Sequence, residues 1–330
     1  MKLSRRVRKA QILAGVASSA MLVALAATTA PALAQSESHL GLPVDKIGVV
    51  SFTIRNDLAN DARGTLEGVT QCGVKVIEFS SPNFDGEEPV FASVPVSQIA
   101  EFADEFGFTV PSLGVNGVHI TDQFDMLVDA ANTLGATYVR ISGIDDVDGE
   151  SEADYYHRLA AFMNENGAKL KAEGITLAYH NHDAEFEDLG DGTTGYDILL
   201  AEVDPEAASF ELDLYWAVNG AADPVELISE NPGRFSLYHV KDAMEVTVDG
   251  EDSFTMATVG NGFIDWQPIF DLGEVDYYFI ENDRPFPDGA TSVCDSYAYL
   301  TAATTEEADA LAAAAQPAID EAMAAAAAAQ

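Results

Sequence analysis

From residue 46 onward the chain alternates between short, nearly unbroken apolar runs and longer stretches whose apolar residues recur every three or four positions. The runs are KIGVVSFTI (46–54), VKVIEFS (74–80), FTVPSLGV (108–115), TYVRISG (137–143), ITLAYHNH (175–182), SFELDLYW (209–216), FSLYHVKD (235–242) and DYYFIEND (276–283). Their length and their Val, Ile, Phe and Tyr content predict buried strands. SQIAEFADEFG (97–107), QFDMLVDAANTLG (123–135) and YYHRLAAFMNENGAKLKAEG (155–174) carry helical spacing instead, and each ends on a glycine just before the next strand.

Eight strands alternating with helices at intervals of roughly 27 to 40 residues predict an α/β chain folded as a (β/α)8 TIM barrel, one domain over residues 46–303. A doubly wound open sheet is the alternative. It usually has fewer strands and wants a phosphate-gripping glycine loop after the first one, and VVSFTIRNDLAND has none.

The flanks differ from this rhythm. Residues 1–34 join a basic start (MKLSRRVRKAQ) to an apolar run (ILAGVASSAMLVALAATTA) and a small-residue cleavage site at Ala32-Leu33-Ala34. That is the pattern of a secretory signal peptide, and it predicts a periplasmic or secreted protein with no membrane segment after cleavage. A retained anchor is the alternative, disfavoured because the run is only weakly hydrophobic. Ser4-Arg5-Arg6 followed by Lys9 resembles a twin-arginine signal, although Arg8 sits where that pattern prefers an apolar residue. Export by that route would suit an enzyme that folds and loads its metal in the cytoplasm. Residues 35–45 read as a polar linker. Residues 304–330 (TTEEADALAAAAQPAIDEAMAAAAAAQ) predict a low-complexity helical tail broken at Pro317. An oligomerisation helix, and with it a homo-oligomer, is the alternative for this tail.

Charge narrows the partners. The formal net charge is −39, and removing the five Lys and Arg of residues 1–34 takes it to −44. Such a field repels nucleic acid. It also disfavours phosphorylated substrates, because the remaining eleven Lys and Arg are scattered. The acids are spread along the whole chain, which suits a surface adapted to salt better than an acidic interaction tail. Cys72 and Cys294 are the only cysteines. An exported compartment permits a disulfide between them, but the sequence does not place them within bridging distance. Two cysteines without a CxxC exclude a cysteine-based metal site.

Residues i and i+2 of a strand point to one side. His180 and His182 therefore share a face at the C-terminal end of the fifth run, the end where barrels build their sites. The sixth run ends with Asp213 and Tyr215, the seventh with His239 and Lys241, and the eighth with Glu281 and Asp283. A solvated loop accounts equally well for any one of these pairs, but less well for four in register. His180, Asp213, His239 and Glu281 form a two-histidine, two-carboxylate set suited to Mn²⁺, Co²⁺, Zn²⁺ or Fe²⁺. Mg²⁺, which prefers oxygen ligands, is less suited.

LAYHNHDAEF, ELDLYWAVNGAADPVELI, RFSLYHVKD, VGNGFIDWQPIF and YFIENDRP resemble the sugar phosphate isomerase/epimerase family, xylose-isomerase-like barrels related in fold to endonuclease IV. The resemblance runs from about Ile47 to Leu300. It implies a divalent metal on residues ending strands five to eight, commonly Glu, Asp, His and Glu, which map onto His180, Asp213, His239 and Glu281. The first position departs from the common pattern, since this chain has His-Asn-His where relatives have Glu-Asn-His. Epimerising relatives move a proton between two facing metal-bound glutamates; here only Glu281 stands in that role.

The implied chemistry is proton removal next to a metal-polarised carbonyl of a non-phosphorylated sugar. It would serve an isomerase, an epimerase or a lyase of keto-glycosides. A non-catalytic carbohydrate- or metal-binding barrel is the alternative, and a DNA-repair endonuclease fails on charge. His182 is the candidate acid/base, or else a histidine that orients the metal site. Glu281 is ligand and base in the family manner. Lys241 stabilises an enediolate oxygen or neutralises the acidic site. Glu78, His119, Glu185, Trp216 and Asp283 are candidate substrate contacts; Glu185 alternatively orients His182. Tyr215, Phe263 and Trp266 add aromatic surface near the same rim, with core packing the default for Trp266, and His157 reads as a surface residue.

Overall fold

A computed structural model describes residues 37–248 and 251–328; the signal-peptide reading of residues 1–34 lies outside the described residues. The eight apolar runs supply eight parallel strands: β1 (Ile47–Val50), β2 (Ile77–Glu78), β3 (Ser112–Val115), β4 (Tyr138–Ile141), β5 (Thr176–His180), β6 (Ala208–Asp213), β7 (Phe235–Val240) and β8 (Tyr277–Ile280). Their order round the sheet is β2-β1-β8-β7-β6-β5-β4-β3. Parallel bridges from Val76 to Thr109 and from Phe79 to Leu113 join the two ends, so the sheet closes on itself.

Alternation along each strand sorts the side chains into two cores. Val49, Ile77, Val139, Leu177, Phe210, Leu212, Tyr238 and Ile280 face outward into the large core shared with the helices. Val50, Val76, Tyr138, Ala178, Leu237 and Phe279 form a separate cluster inside the barrel. Helices Val96–Phe106 and Phe124–Leu134 stop at Gly107 and Gly135, whose φ of 69° and 72° turn the chain into the next strand without the clash a Cβ would bring.

Three features depart from the sequence expectations. The stretch read as a linker packs on the barrel: Leu40 and Leu42 are buried, and His39 N–H donates to Ala302 O at 2.7 Å. The alanine-rich tail forms one helix, Thr305–Ala328, which continues through Pro317 instead of breaking there. Contacts on both sides of the proline hold it. Ala308 and Ile319 are buried, and Asn261 Nδ2 donates to Ala312 O at 2.8 Å and to Gln316 Oε1 at 2.9 Å.

A hairpin, Asp242–Val248 with Glu251–Ala257, follows β7 where the sequence reading has only a connection. Asp242 anchors its base. One carboxylate oxygen accepts from Ala243 N–H and Ile264 N–H, the other from Gly260 N–H and Gly262 N–H. Cys72, at the end of helix Arg55–Gln71, and Cys294, in helix Gly289–Thr301, form a disulfide. Among the described residues no helix is long and apolar enough to cross a membrane.

Candidate metal centre

Inside the barrel the apolar cluster gives way within two residues to charge. The next inward positions carry Glu78 on β2, Arg140 on β4, His180 on β5, Glu211 and Asp213 on β6 and His239 on β7, with Lys241 and Glu281 just beyond β7 and β8. All except Arg140 are at most 4% exposed.

The upper layer is the predicted ligand set. One donor atom each from His180, Asp213, His239 and Glu281 lies within 4.8 Å of the other three. His180 Nε2 and His239 Nδ1 are each 3.8 Å from Asp213 Oδ2, and His239 Nδ1 is 2.8 Å from Glu281 Oε2. Asp213 Oδ2, His239 Nδ1 and Glu281 Oε2 are buried without a well-directed hydrogen bond. Nitrogen and oxygen donors converging in this way therefore fit a divalent ion. The Lys241 ammonium also enters this layer, 2.9 Å from Asp213 Oδ2 and 2.7 Å from Glu281 Oε2.

A second charged layer lies beneath. His239 Nε2 is 3.0 Å from Glu211 Oε2 and 3.3 Å from Glu78 Oε1. Arg140 Nε donates to Glu78 at 2.8 Å and sits 3.4 Å from Glu211. Ser112 Oγ donates to the other Glu78 oxygen at 2.6 Å. Gly114 makes room for the guanidinium, since a Cβ there would lie 2.6 Å from Arg140 Cζ.

These neighbours set the protonation states. Burial, with His239 and Arg140 adding repulsion, pushes the His180 imidazole well below its ordinary range, so it is neutral and free to ligate. Burial also lowers His182, with Glu185 pulling the other way. Burial opposes the charge on His239, but Glu211 and Glu281 together outweigh it and hold that ring well above the usual value, so an ion held by Nδ1 would take the place of its proton. Burial likewise opposes charge on Glu281, and Lys241 and His239 overcome it and hold the carboxyl well below the usual range. Burial and the neighbouring Glu78 push Glu211 up to about 7.

The His180–Phe186 loop is tied down residue by residue. Asn181 Oδ1 accepts from Asp213 N–H at 2.9 Å, and Asn181 Nδ2 donates to Asp213 O at 3.3 Å, clamping the ends of β5 and β6 together. Glu185 accepts from Tyr179 Oη–H at 2.5 Å and from His182 N–H at 3.0 Å, which fixes the backbone under His182. The His182 ring then stands perpendicular to His180 at 5.0 Å and beside Trp216 at 5.6 Å.

Above the cluster opens a cavity of about 590 Å³, lined in part by His180, His182, Trp216, Lys241, Glu281 and Asp283. That volume suits a small-molecule ligand. Three predicted substrate contacts fall elsewhere. Glu78 is fully buried below the cavity floor, held by Arg140 and Ser112. Glu185 points back to Tyr179 and the His182 backbone. His119 stacks on Phe84 at 4.6 Å, and its Nδ1 accepts from Asn116 N–H at 3.1 Å, closing the start of a short helix.

Trp266 is core, stacked on Phe270, and Tyr215 packs with Ala243 and Met256. Phe263 lies exposed against Phe254. Sequence spacing passes over Arg140, Glu211 and Arg55, the last a cavity residue just after β1. The available signal for the first two is a charge at an inward position of an otherwise apolar run.

Fold and cluster together define a parallel TIM barrel with a candidate metal centre at the C-terminal ends of its strands. The chain belongs to the xylose isomerase-like TIM barrel family, whose model matches residues 66–273. It is 30% identical over 149 residues to an inosose dehydratase of Geobacillus kaustophilus, a match covering 42% of this chain and 45% of that protein. Among solved structures it is similar to a sugar phosphate isomerase/epimerase of Parabacteroides distasonis, with a TM-score of 0.64, 23% identity and coverage of 83% of this chain and 96% of that one. It is also similar to the IolI protein with a bound zinc atom, with a TM-score of 0.55, 14% identity and coverage of 81% and 96%.

Proposed function

We propose that this protein is an exported, divalent-metal-dependent enzyme acting on a non-phosphorylated sugar or keto-sugar by removing a proton next to a carbonyl. The observation that carries this reading is the convergence of four buried donor atoms on one point below an open cavity. His180, Asp213, His239 and Glu281 would hold the ion, with Mn²⁺, Co²⁺, Zn²⁺ or Fe²⁺ the best match to two imidazoles and two carboxylates. The zinc atom of IolI supports an ion in this fold. When bound, the ion supplies Lewis acidity toward a substrate oxygen.

This chain's own residues account for the rest. His182, kept neutral by burial, accepts the proton from the substrate carbon. Lys241, kept charged by Asp213, Glu281 and Asp283 against its burial, contributes the positive charge of its held ammonium to the oxygen on which negative charge develops. Trp216 offers a flat apolar face to the sugar C–H groups. Return of the proton to a neighbouring carbon gives isomerisation, and delivery of a proton to the opposite face of the same carbon gives epimerisation. Loss of a substituent from the adjacent carbon gives elimination. The dehydratase relative supports elimination of water as the outcome. The Cys72–Cys294 bond supports an exported location, since disulfides persist in oxidising compartments.

One observation favours a second reading, a carbohydrate-binding barrel without catalysis: Lys241 sits where it can neutralise Asp213 and Glu281 itself. Melting with and without Mn²⁺, Co²⁺ or Zn²⁺ decides between them. Ion at a hundred times its Kd contributes about 2.7 kcal/mol, which raises Tm by about 5–10 °C. No shift with any of the ions sinks the metal-enzyme reading. A shift without solvent-deuterium incorporation into any of a panel of ketoses and 3-keto-glycosides leaves the binding barrel.

A further inference from the structure

The cavity is lined against the charge of the chain. In a protein with 55 Asp and Glu against 16 Lys and Arg, its wall holds three cations, Arg55, Arg140 and Lys241, and two carboxylates, Glu281 and Asp283. Lys241 is engaged by Asp213, Glu281 and Asp283, and Arg140 by Glu78 and Glu211.

Arg55 is different. Its Nη1 donates to Phe52 O at 2.6 Å and its Nη2 to Asp283 O at 3.1 Å, and its Cζ lies 4.0 Å from the centre of the Phe52 ring. These contacts fix the plane of the guanidinium without neutralising it, because both acceptors are uncharged carbonyls. No carboxylate among the described residues pairs with Arg55. Two of its five N–H groups are used, which leaves three for a ligand. The rest of the lining offers the hydroxyls of Ser80, Ser81 and Ser142 and the amide of Asn116, and its two carboxylates, Glu281 and Asp283, are both engaged by Lys241.

We propose that Arg55 receives a carboxylate of the substrate, so that the site takes a sugar acid in preference to a neutral sugar. The proposal deepens the functional reading above and rests on its placing the substrate in this cavity. A planar fork held in one orientation matches a carboxylate with two parallel hydrogen bonds. A phosphate would call for further cations or a glycine-rich loop at this wall, and the residues after β1 supply neither.

Calorimetric titration of the Mn²⁺-treated protein with D-glucuronate, D-glucose and D-glucose 6-phosphate tests it. Wild type should bind glucuronate about ten- to a hundredfold tighter than glucose, the range of a charge-assisted pair of hydrogen bonds. Arg55→Gln should bring that ratio down at least about fivefold, and Arg55→Lys, which keeps the charge but not the fork, should fall between them. Melting curves of both variants report whether they fold, and the more stable one carries the comparison.

The proposal is overturned by a wild-type ratio near one, by no measurable binding of glucuronate, by tighter binding of glucose 6-phosphate than of glucuronate, or by an unchanged ratio in both variants. Loss of the metal response alone would sink the functional reading, while the glucuronate-to-glucose ratio still scores this one.

Discussion

His239 faces two ways, and its position explains why the cluster has two layers. Nδ1 looks up toward Glu281 and Asp213, and Nε2 looks down toward Glu211 and Glu78. A ligating imidazole needs its other nitrogen held by an acceptor, and partners of that kind typically change metal affinity by about 10–100-fold when removed. Glu211→Gln should therefore weaken Mn²⁺ binding by about that factor, read from the metal dependence of Tm, although Glu211 touches no substrate. His180→Ala should abolish the metal response altogether. His182→Ala should keep it and lose deuterium exchange; equal loss of metal in both histidine variants would overturn this division of labour. The upper layer is legible in the sequence because its members end their strands, where polar residues interrupt apolar runs. Glu211 and Arg140 are harder to see. Each sits one inward step below the strand end, among residues whose outward neighbours are apolar, and only the phase of the alternation separates a buried charge from a misplaced one.

At the scale of elements, the sequence resolves what a period can encode. Eight runs of strand composition mark the eight barrel strands, and the glycines after residues 106 and 134 mark where two helices stop. Packing that depends on distant residues carries no such period. The hairpin after β7 hangs on the four backbone N–H groups that Asp242 gathers. The sequence marks the tail only as low-complexity and helical, because alanine spacing says nothing about what it packs against. Its docking depends on Asn261, which lies before β8 in the chain and braces the helix just ahead of Pro317. Asn261→Ala removes both bonds at a cost of about 1–2 kcal/mol. That should lower Tm by about 2–8 °C. An unchanged Tm would mean that the tail is not held in this way.

For the whole molecule the governing quantity is a formal net charge of −39. Exposed ion pairs such as Lys169–Glu165 and Lys171–Glu206 offset little of it, because each is worth at most about 1 kcal/mol and the basic partners are few. Carboxylates therefore remain in large excess over basic groups, and folding concentrates their mutual repulsion. Salt screens both kinds of interaction, so the sign of its effect depends on which dominates. With acids outnumbering bases by 55 to 16, repulsion does. Between 0.01 M and 1 M KCl the screening length falls from about 30 Å to about 3 Å. The melting temperature of the metal-free, disulfide-intact protein should rise across that range, by about 2–8 °C for about 1–2 kcal/mol of relieved repulsion. Chloride is the appropriate anion, since sulfate would stabilise almost any fold by exclusion from its surface. A Tm that falls with KCl would show that attractive pairs, few as they are, outweigh the acidic surface.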